Sequence, residues 1–464
     1  MPRTIPEVPG FAPPKPSEPK TYTIQLITPM FGGGVEPGEP DESMPIRATE
    51  IRGQLQFWWR ATAGAKYSTK EELREAQTEI WGSTEKASNV QVQARTTTAG
   101  KNQPCAQYSW NPNARGGRGG WRMNWLPPFQ GTKLPYALFP FQGEMPRPNR
   151  NAKIEVPPAN CIHDAVFELT INCAADMTRE AESEVETALW AWVNFGGLGA
   201  RTRRGCGALF CRDFAPESVE QLVEKARQYA TSSARDWPVL VEHLLIGKAE
   251  RGSIAAWDAA INILRDFRQG EEEEIGRAAG PSRSFWPEAE SIREITGCRS
   301  HSRDPNIPDS AIPAFPRAEF GLPIVFHFKD SGDPPDTVLY PGNGPANEKR
   351  ERMASPLILK PLGLADGKFI PIILLLRTPH LTGVDLRISR KNLNSLPRKL
   401  AERIRETMGN NDKEGSFALP DDLLICGEPL SEYSTSPMQG RSTTGSAIEA
   451  FLNYAQSKGF KGEI

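Results

Sequence analysis

Three arginines, Arg201, Arg203 and Arg204, crowd into the run Gly196-Gly-Leu-Gly-Ala-Arg-Thr-Arg-Arg-Gly-Cys-Gly207. Glycine tolerates positive φ and lets a backbone come close to a ligand. Clustered guanidinium groups match phosphate oxygens. The loop, with Gly197, Gly199 and Gly205 set among the arginines, reads as an anion site. The same residues would also make a helix C-cap and hairpin with solvated arginines. What flanks the loop narrows the choice of anion. A dinucleotide fingerprint or a P-loop puts its glycines after a strand and before a helix. Here the helical run ending at Phe195 comes first, and the short apolar run Ala208–Cys211 follows. The third fingerprint glycine falls due at Thr202, and no Gly-Lys-Ser/Thr follows. The chemistry is that of a polymeric phosphate backbone rather than a mononucleotide.

A second basic set precedes it in Met44–Ala65. Ile51, Leu55, Trp58 and Thr62 recur on one helical face from Glu50 onward. Arg52, Gln56 and Arg60 form a neighbouring polar stripe, with Arg47 just before the helix and Gly53 leaving room for a close approach. Arg47, Arg52 and Arg60 could meet a phosphate backbone, or the stripe could be a solvated face. The tryptophans read as core. In the second half Arg350, Arg352, Ser355 and Lys360 lead into a strand and could face an anion, or form a surface loop. Asn111–Arg122 (NPNARGGRGGWR) has a composition that grips single-stranded nucleic acid without sequence choice, or it is a surface loop.

Composition limits the classes. The 464 residues carry a net charge of −2, with a pI near 6.3. Nucleic-acid affinity must come from local patches, not from a general basic coat. Seven cysteines show no CxxC spacing, so no metal site is read and a reduced cytoplasmic compartment fits. No cofactor motif is present. No apolar run approaches membrane-spanning length, and the Pro-rich start is not a signal peptide.

Elements that would position these residues follow from pattern. Residues 1–20 read as a flexible arm. Strands are expected at 21–27, 89–97, 163–173 and around 208–211, and helices at 50–65, 70–80 and 178–195. Residues 21–213 thus read β-α-β-β-α-β, with an irregular insertion at about 98–160: the ferredoxin-like, RRM-like plan. In that plan the first and fourth strands are expected at opposite edges, so loops must reach across a face to join Arg47 to the glycine loop. The aromatic RRM signature is missing, so base stacking on the sheet is not expected. Residues 216–230, 236–249 and 254–268 read as three helices, and Glu271–Glu274 as a solvated turn. The stretch 214–316 becomes a helical insertion and linker. A second, degenerate ferredoxin-like domain is expected over 317–464. The fold class is α+β: two tandem ferredoxin-like domains with helical and loop insertions.

Taken together, these motifs resemble a known family. Pro45-Ile-Arg-Ala-Thr-Glu-Ile-Arg-Gly-Gln-Leu-Gln-Phe-Trp-Trp-Arg60 resembles the early motif of the RAMP subunit numbered first in the type III-B CRISPR effector, the Cmr complex. Trp81-Gly-Ser-Thr84 matches the motif that follows it. The run Gly196–Gly207 looks like the glycine-rich loop that defines RAMP proteins, and Ala354–Leu359 after Arg352 is similar to the second-half motif. Gln56 departs from the pattern, where the family often carries a further basic residue. The resemblance implies an RNA-guided complex and a place near the guide's 3′ end beside other RAMP subunits. It implies guide and target RNA as partners, no membrane and no catalytic role. By motif position it assigns RNA contacts to Arg47, Arg52, Arg60, Arg201, Arg203 and Arg204. Two alternatives stay open: a guide-processing endoribonuclease using His163 as acid or base, and a structural cap that binds only protein.

Overall fold

The computed structural model describes residues 18–34, 39–41, 43–114, 118–230, 235–270, 286–303, 313–342, 351–379, 381, 383–409, 412–417, 419 and 445–464. The expected arm (residues 1–17 of it), residues 115–117, Glu271–Glu274 and Arg350 lie outside the described residues. The chain divides into two units. One holds residues up to Gln130, Pro140–Leu240 and Leu362–Lys368; the other holds Gly131–Phe139, Val241–Pro361 and Phe369–Ile464.

The first unit runs β1 (Lys20–Leu26), β2 (Met30–Phe31), α1 (Ala48–Ala61), α2 (Lys70–Trp81), β3 (Val90–Thr98), β4 (Lys101–Pro104), β5 (Ala106–Asn111), β6 (Gly120–Trp125), β7 (Asn160–His163), β8 (Val166–Cys173), α3 (Arg179–Phe195), β9 (Leu209–Phe210) and α4 (Val219–Arg227). Four strands make its main sheet, in the order β3-β8-β1-β9. Period-two alternation decides the two faces. Ile24, Leu26, Phe167, Leu169 and Ile171 are buried on one side. The buried stripes of α1 (Ile51, Leu55, Trp58) and α3 (Val185, Leu189, Trp192) supply the matching apolar surface. Trp58 and Trp59 are 2% and 0% exposed, so they are core, as their spacing predicts. Each such ring buries roughly 150–250 Å², several kcal/mol of transfer free energy. The other side of β1, β3 and β8 is polar: Thr21 and Thr23, Gln91 and Gln93, Glu168 and Thr170. No aromatic stands on it in these three strands, so the sheet offers no stacking platform there.

Caps set the helix ends. Thr69 and Glu72 form a capping box at α2, and the Thr178 hydroxyl accepts from the Ala181 amide 3.2 Å away at α3. The 98–160 insertion is more ordered than its Pro/Gly content predicts. β5 and β6 pair as a hairpin with Trp110 opposite Trp121, and β2, β7 and β4 form a small sheet. The alternation of Tyr108 and Trp110 with Gln107 and Ser109 is a strand signal that the prolines and glycines around it obscure.

The second unit runs β10 (Val239–Ile246), α5 (Ser253–Gln269), α6 (Glu288–Thr296), β11 (Ile324–Phe326), β12 (Thr337–Pro341), β13 (Leu357–Gly363), β14 (Phe369–Arg377), β15 (Val384–Ser389), α7 (Arg398–Thr407), β16 (Glu414–Ser416), α8 (Ala447–Ser457) and β17 (Lys461–Gly462). One correction is large: 236–249, expected as a helix, contains the strand β10. Val-Leu-Val-Glu-His-Leu-Leu-Ile is a short apolar run, and periodicity alone cannot tell such a run from a buried helix segment. β10 sits inside a sheet of order β13-β14-β10-β17. Its connectivity, β10-α5-β13-β14-α8-β17, repeats that of β1-α1-β3-β8-α3-β9, and so does its strand order. The second sheet therefore starts at Val239, within the stretch expected to be insertion and linker. A further sheet, β11-β12-β15-β16, is assembled from two chain segments between those elements. It has its own core, which includes Phe315, Leu339, Leu386 and Ile404. No described helix is long and apolar enough to cross a membrane.

β13 reads Leu-Ile-Leu-Lys-Pro-Leu-Gly, and every residue of it is buried. That includes Lys360, at 0% exposure, whose ammonium is pulled down to about 7 by loss of solvent. The folded chain then binds fewer protons here than the unfolded chain between about pH 7 and ~10.4, so stability rises with pH across that window. Lys360→Met is expected to be neutral to stabilising by about 1–4 kcal/mol near neutral pH, with the gain shrinking toward pH 10. Urea unfolding at several pH values measures it.

Candidate nucleic-acid interface

β1 ends at Leu26, and the chain then lies against the glycine loop. The amide of Ile27 donates to Ala208 O (2.9 Å), that of Gly207 to Pro29 O (2.9 Å) and that of Ala200 to Phe31 O (2.7 Å). Thr28 is buried between them. Its hydroxyl donates to Gly205 O (2.7 Å) and accepts from the Ala208 amide (2.8 Å). β1 and β9 are direct neighbours, with Gln25 opposite Phe210 and Leu26 opposite Leu209. The expectation that first and fourth strands lie at opposite edges is thus corrected. The loop leaving β1 and the loop entering β9 share one end of the sheet, and neither has to cross a face.

The glycines serve this packing. Gly199 adopts φ +77, and a Cβ there would stand 2.4 Å from Phe31 O. At Gly197 a Cβ would meet Gly207 O at 2.8 Å. Gly205 ends the turn Thr202–Arg204 in the left-handed region. The amides of Leu198, Gly199, Ala200, Gly205 and Gly207 all donate to protein oxygens. Gly197, Gly199 and Gly205, expected at the RNA, are accounted for by backbone packing. The loop's cationic groups are its arginine side chains.

The loop meets one face of α1. Glu50, Gly53 and Phe57 share that face at i, i+3 and i+7. Glu50 Oε1 accepts from the Gly199 amide at 2.7 Å, and the Arg203 guanidinium lies 5.6 Å from the Phe57 ring centroid. Between these two anchor points Gly53 is exposed, and a Cβ on it would touch nothing within 4 Å. A glycine inside a helix costs about 0.8–1.0 kcal/mol against alanine, and nothing in the described chain requires this one. Arg47 is the N-cap residue of α1 and supplies no side-chain cap, so the first-turn amides have no capping partner there. Its guanidinium lies beside Gly33. Asp41 is also near: the Met44 amide and then the Ser43 hydroxyl hold its carboxyl below the usual range, and Arg47 adds to this. Arg201 has φ +58, one of two described non-glycine residues with positive φ. Such a backbone costs roughly 1–3 kcal/mol and persists where its surroundings hold it.

The expected set therefore splits. Arg47 at the N-cap and Arg203 over Phe57 both lie at α1, and Arg201 opens the turn Thr202–Arg204 in the loop beside them. Arg204 follows, donating to Arg203 O at 3.2 Å. Arg60 is farther along, donating to Gln77 Oε1 at 3.0 Å. Arg52 is a correction. Its guanidinium donates to Ser88 Oγ, Val90 O and Trp81 O, and lies over the Trp81 ring. It ties the end of α2 and the start of β3 to α1. Lys360 is a second correction, because its buried ammonium cannot meet a phosphate. Arg352 is exposed ahead of β13, which occupies the place in its sheet that β3 holds in the first. His163 Nε2 lies 3.2 Å from both Gln103 Nε2 and Cys161 Sγ, and burial lowers its pKa. Among the described residues no group of three or more His, Cys, Asp or Glu could hold a metal, and the six described cysteines are free thiols. Three contributors went unnoticed in the sequence: Thr28, Gly33 and Phe57. Only the run Gly32-Gly-Gly34 was a visible signal for any of them.

This geometry has relatives. Residues 23–210, essentially β1 to β9, match the model of the RAMP superfamily. The chain is similar to the CRISPR system Cmr subunit Cmr1-2 of Pyrococcus furiosus, at 26% identity over 189 residues, covering 40% of this chain and 92% of the relative. Among solved structures, it is similar to apo Cmr1 from Pyrococcus furiosus (13% identity, 79% of this chain and 89% of that one, TM-score 0.46). Another is a chain of the type III-B Cmr-beta complex bound to cognate target RNA (13% identity, 77% and 94%, TM-score 0.44).

Arg52→Ala tests the division of labour on α1. Losing a cation that serves a hydroxyl and two carbonyls should cost about 1.5–3 kcal/mol in urea unfolding, while RNA affinity of the folded variant stays at the parent value.

Proposed function

We propose that the chain is a non-catalytic RNA-binding subunit of a type III-B CRISPR effector, holding guide or target RNA by its phosphate backbone near the guide's 3′ end beside other RAMP subunits. The observation that carries this is the shared sheet end. It brings Arg47, the uncapped start of α1 and Arg203 to one face, with Gly53 as open floor and Arg201 in the adjoining loop. Phosphate contacts of this kind position RNA without reading its sequence, and guide–target pairing supplies specificity. The amides of Leu198, Gly199, Ala200, Gly205 and Gly207 are bonded to protein oxygens, which favours guanidinium contacts over a cradle built from those amides. The repeated connectivity supports two tandem ferredoxin-like domains, the second beginning at Val239 with the β11-β12-β15-β16 module inserted in it. The endoribonuclease alternative draws little from the geometry. His163 Nε2 already has Gln103 and Cys161 as neighbours, and no carboxylate among the described residues hydrogen-bonds its ring.

The test is Arg47→Ala with Arg201→Ala in the intact chain, titrated with labelled single-stranded RNAs of unrelated sequence at several salt concentrations. Capture should weaken alike for every sequence, and the slope of log affinity against log salt should become shallower by about 1.4, near 0.7 per phosphate contact. A folded variant that binds as the parent does would remove the face from the RNA path.

A further inference from the structure

A second basic surface lies on the β11-β12-β15-β16 module. Residues 390–405 carry six basic side chains (Arg390, Lys391, Arg398, Lys399, Arg403 and Arg405) against one acidic, Glu402. That is a local charge of +5 in a chain whose total is −2. They occupy α7 and the 3-10 turn Arg390–Ser395. The two elements are fastened together: Arg405 donates to Asn394 Oδ1 (2.6 Å), and Arg390 to Gly409 O (2.7 Å) and Asp412 O (2.9 Å). α7 turns Ala401 and Ile404 into the module's core, and all six basic residues are exposed.

The pairing of charges within this module separates structural cations from the rest. Arg293 is bound by Asp333 (2.8 Å) and Glu290 (2.7 Å), Arg317 by Glu288 (3.1 Å) and Arg387 by Asp385 (2.6 Å). Lys391, Lys399 and Arg403 have no carboxylate partner among the described residues. The placement also works against the helix. Arg398 and Lys399 open α7, its first turn holds no acidic residue, and Pro397 gives no side-chain cap. Cations at a helix N-terminus oppose the macrodipole. Arg398 is paired with Glu402 one turn on (2.8 Å), whereas Lys399 has no such partner among the described residues and gains nothing from the macrodipole.

We propose that this face is a second phosphate-backbone contact, binding single-stranded RNA through Lys391, Lys399 and Arg403. The proposal rests on the RNA-binding reading of the chain, but not on the α1 face. Unpartnered, exposed cations on a rigid, buried-faced helix suit a flexible polyanion, which fits its phosphates to the cations it meets and needs no shaped pocket.

The experiment uses the full chain and a fluorescein-labelled 30-nucleotide oligo(U), titrated at several salt concentrations. Lys391→Gln, Lys399→Gln and Arg403→Gln together should make the salt slope shallower by about 2, three contacts at near 0.7 each. The charge-keeping set Lys391→Arg, Lys399→Arg and Arg403→Lys should retain the parent slope. Lys399→Glu alone should weaken RNA binding while its melting temperature stays level or rises, which a merely structural lysine would not give. If the Gln variant keeps the parent slope while Arg47→Ala/Arg201→Ala loses affinity, this surface is not an RNA contact and the α1 reading stands. If the Gln variant weakens and the Arg47/Arg201 variant does not, the surface stands and the α1 face falls. If the Gln variant binds oligo(U) normally but loses subunit association in nuclease-treated complex, the surface faces an acidic protein and the RNA inference is overturned.

Discussion

The first unit hangs on the seam between the segment Thr28–Phe31 and the glycine loop. A strand that leaves the sheet at Leu26 and a strand that enters it at Leu209 would each present unpaired backbone to the interior. Unpaired buried amides and carbonyls cost about 1–3 kcal/mol apiece. The seam removes that cost by pairing the two departing chains with each other, and the Thr28 hydroxyl bridges the one place where the ladder cannot continue. Backbones this close leave no room for side chains, so glycine is dictated at Gly199 by both space and φ. The same closeness brings the loop against α1, with Arg203 over Phe57. A demand of folding thus produces the clustering that the proposed RNA face uses.

The seam also limits how that face can work. A P-loop or a dinucleotide loop presents free amides to phosphate, whereas here the amides are spent on Phe31, Pro29 and Glu50. Glu50 adds a carboxylate next to the loop, partly offset by its position in the first turn of α1. Recognition through guanidinium groups tolerates variation in where each phosphate sits, because long side chains can adjust. The proposed role, contact with RNA of any sequence, would gain from that tolerance, and a fixed amide cradle would lack it.

Much of the first unit was legible in the sequence. Alternation at Thr21–Leu26 and Val90–Thr97, and the 3.6-residue spacing in α1 and α3, come from burial of one face, which leaves a direct trace in residue order. The neighbour relation of β1 and β9 left no such trace. Sheet order depends on contacts between residues about 180 positions apart, and no local pattern carries it. The roles of the arginines were blurred for the same reason. Arg52 and Arg47 look alike in sequence, yet one faces the carbonyls ending α2 and the other faces the open loop. Lys360 misled because a lysine in an apolar run reads as a strand end. β10 misled because eight apolar-rich residues satisfy either period.

The repeated connectivity sharpens where an anion face can and cannot be. In the first unit the link from α3 to β9 spans Gly196–Ala208, long enough to fold back on the β1 exit and carry three arginines. In the second unit the corresponding link, from α8 to β17, is Lys458-Gly459-Phe460, and Phe460 is buried. Three residues can turn a corner, but they cannot build a second glycine-arginine loop. The second sheet therefore lacks the structural basis for a copy of the α1 face. A dense basic run, residues 390–405, lies instead on the module containing α7, between β14 and α8. The two sheets share strand order and connectivity, but the proposed phosphate contacts lie in different places: in the first unit beside the seam, in the second on the module between β14 and α8.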